Sequence, residues 1–160
     1  MNSPKPIFHM PTFLASLPIE AYMPFGSWVS CRPAPIGADE DWLVLVKPGY
    51  APELKKLLEK RNFYPLGAPY SDANMLVYRR VAWLDSITRF SMPSTNLPLH
   101  RKQIDIAVFD NKILYALNKL ATEICTEMNL LDRAARVAVF DSVVRGKMHP
   151  NDSGRPAEAG

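Results

Sequence analysis

Trp42-Leu43-Val44-Leu45-Val46 is an unbroken apolar run, and it is headed by Asp39-Glu40-Asp41. A short apolar run bounded by polar residues reads as a buried β-strand. In a strand, residues i and i+2 point to one face, so Asp39 and Asp41 project together and Glu40 points the other way. Two carboxylates that close repel each other in a dry site. Mg²⁺ relieves that repulsion, because it takes oxygen ligands, often one or two carboxylates with substrate phosphates. Upstream, Met23-Pro24-Phe25 signals a turn and Gly26-Ser27 follows it. Such a turn offers backbone N–H groups and a hydroxyl to a phosphate. Together these parts predict metal-assisted phosphoryl or nucleotidyl transfer. The plain alternative is that Asp-x-Asp is only the solvated start of a strand.

The chain has 160 residues, 48% of them hydrophobic, enough for one domain with its own core. Its net charge of +3 permits an anionic partner, a nucleotide or RNA, without demanding one. Cys31 and Cys125 form neither a metal nor a redox spacing. Buried free thiols in a reducing compartment are the simplest reading, with one disulfide left open. No apolar run is long enough to cross a bilayer, and residues 1–17 lack the core of a signal peptide. The expectation is a cytoplasmic protein with no membrane partner. The three histidines, His9, His100 and His149, make no metal pair, and neither a Walker loop nor a Rossmann fingerprint is present.

Periodicity divides the rest. Pro11 to Leu17 predicts a short helix, and residues 52–61 a longer one with Leu54, Leu57 and Leu58 on one face. Residues 62–72 read as a loop. Met75 to Val81 reads as a strand, 84–91 as another, and Ser91 to Leu99 as an excursion. Gln103 to Phe109 alternates, with Ile104, Ile106 and Val108 on one face and Asp105, Ala107 and Phe109 on the other. Asp110 or Asn111 then caps a helix over 112–128, with Leu114, Leu117, Leu120, Ala121, Ile124 and Met128 at helical spacing. Asp132 caps a second helix to about Val144, ended by Gly146. The two helices are expected to pack antiparallel, with Leu120 and Val137, Val139 and Phe140 buried on the sheet. The fold class is therefore α/β (α+β): a small mixed sheet covered by helices on one side, with a C-terminal helical hairpin. The domain spans 1–147, its helical part 112–146, and 148–160 reads as a disordered tail.

Asp105 is a carboxylate inside an apolar strand, and a buried charge is costly unless paired or metal-bound. If its strand lies beside 39–46, Asp105 faces Asp39 and Asp41. Arg101 and Lys102 lead directly into that strand, where they could reach a triphosphate. Arg32, Arg79, Arg80 and Arg89 are further cationic candidates. Trp28 would sit beside a nucleotide held at Gly26-Ser27.

Gly26-Ser27, then Asp39-x-Asp41 before an apolar strand, then a lone Asp105 in a later strand together resemble the DNA polymerase β-type nucleotidyltransferase superfamily. Arg89-Phe90-Ser91, Arg101-Lys102 and the stretch from Asn129 to Phe140 look similar to small bacteriophage-encoded nucleotidyltransferase-like proteins. The resemblance implies a mixed-sheet α/β core and transfer of an NMP from an NTP to an acceptor: RNA, a protein or a small molecule. It implies that Asp39, Asp41 and Asp105 hold Mg²⁺ (or Mn²⁺) and that Gly26 and Ser27 contact the triphosphate. For a phage-encoded protein it implies the host cytoplasm. The chain departs from the family pattern at Ala38 and over Trp28 to Arg32. This leaves a second expectation, a catalytically silent module that binds a host protein or nucleic acid.

Overall fold

The computed structural model describes residues 12–83 and 101–146. Five strands form one mixed sheet: β1 (Ile19–Phe25), β2 (Glu40–Val46), β3 (Tyr64–Pro65), β4 (Leu76–Trp83) and β5 (Arg101–Phe109), in the order β1-β2-β5-β4-β3. β2 lies between β1, antiparallel, and β5, parallel. The run Trp42–Val46 is fully buried because it has neighbours on both edges and side chains packed on both faces. β4 is antiparallel to β5, and the two-residue β3 forms the outer edge. Its Pro65 suits an edge, since proline has no N–H to give a further strand.

Alternation along the strands separates two cores. Trp42, Val44, Val46, Ile104, Ile106, Val108 and Tyr78 face one side. There they meet Leu54 and Leu58 of helix α2 (Ala51–Lys60) and Leu14 of a 3₁₀ turn (Thr12–Ser16). Leu43, Leu45, Val77, Ala107 and Phe109 face the other side and meet Leu114 and Tyr115 of helix α3 (Lys112–Met128). Helical segments thus cover both faces of the sheet, where one covered face was expected. The reason is that β2 and β5 are apolar on both faces, and each face has to be removed from water. α1 is a single turn, Ser27–Ser30, and α4 (Arg133–Phe140) continues into a π-helical turn, Asp141–Arg145.

α3 keeps its predicted bounds. The Asn111 side chain accepts hydrogen bonds from the N–H groups of Ile113 and Leu114, and Asn129 closes the helix in the left-handed region at φ 50°. Asp132 caps α4 through the N–H of Ala134. The C-terminal helices form a hairpin, but three expectations about it fail. Leu120 is 44% exposed, because the face that α3 buries is Leu114, Tyr115, Ala121, Thr122 and Cys125. α4 buries no residue and packs on α3 and the π-helical turn, not on the sheet. Gly146 keeps a helical φ of −59° and makes no left-handed cap. Both cysteines are buried free thiols. The expected strand at 84–91, the excursion at 91–99, Arg89, the histidines and the tail lie outside the described residues. Among those described, no helix is long and apolar enough to cross a membrane.

Candidate functional site

The register of three strands sets a polar row across the sheet, on the face that α3 covers further along. Asp41 of β2 stands opposite Asp105 of β5, Arg79 of β4 opposite Asp105, and Phe25 of β1 opposite Asp41. Parallel partners at the same register share a face, so the two aspartates are forced together. Arg79 answers part of that charge. Its Nε donates to Asp105 Oδ1 at 2.8 Å and its Nη2 to Oδ2 at 2.9 Å, a two-pronged bond. Gln103, buried two residues before Asp105, donates from Nε2 to Asp39 Oδ2 at 2.9 Å and reaches the Asp105 oxygens at 3.3 and 3.4 Å. One amide therefore ties the carboxylate at the start of β2 to the one in β5.

Asp41 receives no such neutralisation. Burial, and then the charges of Asp105 and Asp39, push its carboxyl from 3.8 up to about 8, with Arg79 pulling weakly the other way. Asp105 in turn raises the Arg79 guanidinium above its ordinary value through their hydrogen bonds.

Gly26 abuts this row. Its φ is +90°, and a Cβ placed there would overlap Oδ2 of Asp41. The turn therefore needs glycine for its backbone and for space alike. Gly26 O then accepts from the N–H groups of Val29 and Ser30, which starts the α1 turn at Ser27. Trp28 leaves the site: it packs edge-on against Trp42 at 5.7 Å between ring centroids, in the α2-side core, and its Nε1 donates to the Asp41 carbonyl at 3.1 Å.

A cleft of about 530 Å³ opens between the sheet and α4 at this row. Asp39, Asp41 and Asp105 line it together with Gly26 and Ser27, so five of the predicted site residues converge. Sequence reasoning had left out Gln103, Tyr70 and the α4 contribution, Arg133, Arg136 and Phe140. The Tyr70 ring lies 5.2 Å from the Arg79 guanidinium. Arg136 is fixed by donating to the carbonyls of Leu130 and Leu131, each at 2.9 Å, and to Cys31 Sγ at 3.1 Å.

Of the two cations that lead into β5, Lys102 is placed away from the cleft. Lys102 lies one residue out of phase with Asp105 and pairs with Glu40 at 2.9 Å on the opposite face. Strand alternation turns it away from the cleft. Arg101 opens β5 opposite Trp83, and its side chain lies outside the described residues. Arg32 is structural: its N–H donates to Asn129 Oδ1 at 2.7 Å and its Nη1 to the Thr126 carbonyl at 2.8 Å, tying the α1–β2 loop to the end of α3. Arg80 stacks on Phe13 and Phe63 on the α2 side.

For a divalent cation the fit is partial. Asp39 and Asp41 bring oxygens to the cleft floor, and the crowding of acids around Asp41 is the kind a cation relieves. Both oxygens of Asp105 are engaged by Arg79. Among the described residues, no three His, Cys, Asp or Glu side chains are arranged to hold one ion together. Fold and site define an α/β protein with a cleft of clustered aspartates and arginines between its sheet and a C-terminal hairpin. The chain matches no family model, no curated protein and no solved structure.

Proposed function

We propose that the protein is a Mg²⁺-dependent nucleotidyltransferase that moves an NMP from an NTP to an acceptor hydroxyl. The observation that carries this reading is the convergence of Asp39, Asp41 and Asp105 with the Gly26-Ser27 turn in one cleft. Asp39 and Asp41 would hold the metal, with Asp105 as a weaker third. A Mg²⁺ ion held by these carboxylates would supply neutralisation of the triphosphate charge and a lowered pKa for the acceptor hydroxyl. Ser27 offers its hydroxyl to the phosphates, and Arg133 and Arg136 bring positive charge from α4. The acceptor oxygen would bond to the α-phosphorus as the bond from that phosphorus to the bridging oxygen breaks, so that pyrophosphate leaves and the hydroxyl proton passes to solvent. Catalysis is then mainly positioning and charge neutralisation.

Calorimetry with each Mg-NTP tests the reading. Binding that is lost in Asp39→Asn/Asp41→Asn, with labelled NMP transfer lost alongside it, is the expected result. Binding or transfer unchanged in that variant overturns it. A second reading follows from the Arg79–Asp105 bond, which occupies the third carboxylate. In that case the chain is a catalytically silent module, and the resemblance to small phage proteins makes a host protein or nucleic acid its partner. Absence of NTP binding together with retention of such a partner selects this alternative.

A further inference from the structure

The outer side of α3 carries an apolar stripe that stays largely exposed among the described residues. Ile113 is 68% exposed, Leu120 44% and Met128 62%. Leu117 and Ile124, both half-buried, fall between them at intervals of three and four residues, so all five line one side of the helix. The fully buried residues of α3 form a different set, and Leu117 marks the edge between the two, since it also packs against the core of Leu43, Phe109 and Leu114. Single exposed apolar residues are ordinary, whereas an aligned run of them marks an interaction surface.

Charge beside the stripe is segregated by helix half. Lys112 and Lys119 stand toward the N-terminus, Glu123 and Glu127 toward the C-terminus. Such a helix is complementary to itself when run antiparallel. With Leu120 set beside Leu120 of a second copy, Leu117 comes within one residue's rise of Ile124 of that copy and Ile113 within one of Met128. The same register brings Lys119 within two residues' rise of Glu123 of the second copy and Lys112 within one of Glu127, both within reach of long side chains. Lys112 also lies 3.7 Å from Glu20 of its own chain, at 71% exposure, a loose pairing that leaves it able to turn.

We propose that two copies of this chain dimerise through α3, about a two-fold axis at Leu120. A symmetric pair requires one patch to complement itself, and both the apolar spacing and the charges do so here. An unrelated partner requires neither. Leu131, 59% exposed just beyond the helix, extends the contact.

Sedimentation velocity of the full chain, from low to several hundred micromolar, should show a concentration-dependent dimer. Leu120→Glu should abolish it while the melting temperature of the monomer is kept. Lys119→Glu or Glu123→Lys alone should weaken the dimer about tenfold by setting like charges across the axis. The double variant K119E/E123K should restore it. Should L120E also lower the melting temperature, the charge-swap set decides, since both of its positions are exposed. A chain that stays monomeric throughout, or a dimer indifferent to the swaps, overturns the proposal.

Discussion

At Gly26 two demands fall on one missing methyl group. The backbone sits at φ +90°, and the space a Cβ would fill belongs to the Asp41 carboxylate. Gly26→Ala should therefore cost about 2 kcal/mol or more in urea unfolding. In the Asp41→Ala background the same change should cost less, because the steric part is gone and only the backbone strain remains. Asp41 also sets a pH dependence. Its carboxyl keeps its proton up to about 8 in the folded chain, while the unfolded chain loses it near 3.8. The folded state thus binds more protons between those values, so this group makes stability fall as pH rises from about 4 to 8. In EDTA, Asp41→Asn should flatten that fall and melt above the wild type at pH 8. Arg79 works in the opposite sense, offsetting Asp105 at side-chain exposures of 20% and 14%. Arg79→Met should cost about 1–3 kcal/mol, and Arg79→Met/Asp105→Asn should cost less than the single change.

At the scale of elements, α3 separates two kinds of apolar residue. Leu114 is 5% exposed and packs under the sheet, so Leu114→Ala should cost about 2–5 kcal/mol. Leu120→Ala should cost the monomer under about 0.5 kcal/mol, measured at low concentration. The bounds of α3 were legible because Asn111 and Asn129 are strong end signals. Its facing was not. Apolar residues occupy more than half of its circumference, and the buried side is partly made of small residues, Ala121, Thr122 and Cys125. Those let α3 approach α1 closely enough for the Ser30 and Thr126 hydroxyls to meet at 3.3 Å, a choice fixed by tertiary contact rather than by period. β5 was easier, because a period of two admits only two facings, and Ile104, Ile106 and Val108 chose one. The acids in the cleft followed from that alternation. Gln103 and Arg79 did not, since the first depends on the β2–β5 register and the second on the β4–β5 register, which no local pattern encodes. Lys102 failed for the same alternation that placed Asp105.

At the scale of the whole molecule, α4 is held to the cleft by few contacts. Arg136 supplies several of them, joining Leu130, Leu131 and Cys31. Arg136→Ala should raise hydrogen exchange over residues 131–140 well before it moves the global unfolding midpoint, because α4 contributes nothing buried to the core. The cleft floor behaves otherwise. β2 and β5 are sheet neighbours, yet α2, β3 and β4 intervene between them in the chain. Asp41 and Asp105 meet only after that long loop has closed, and its entropy cost is met by a pairing that also completes both cores. The β1–β2 pair already brings Gly26 and Ser27 beside Asp41, so what waits for the finished sheet is Asp105, and with it the largest of the charges that oppose the Asp41 carboxylate.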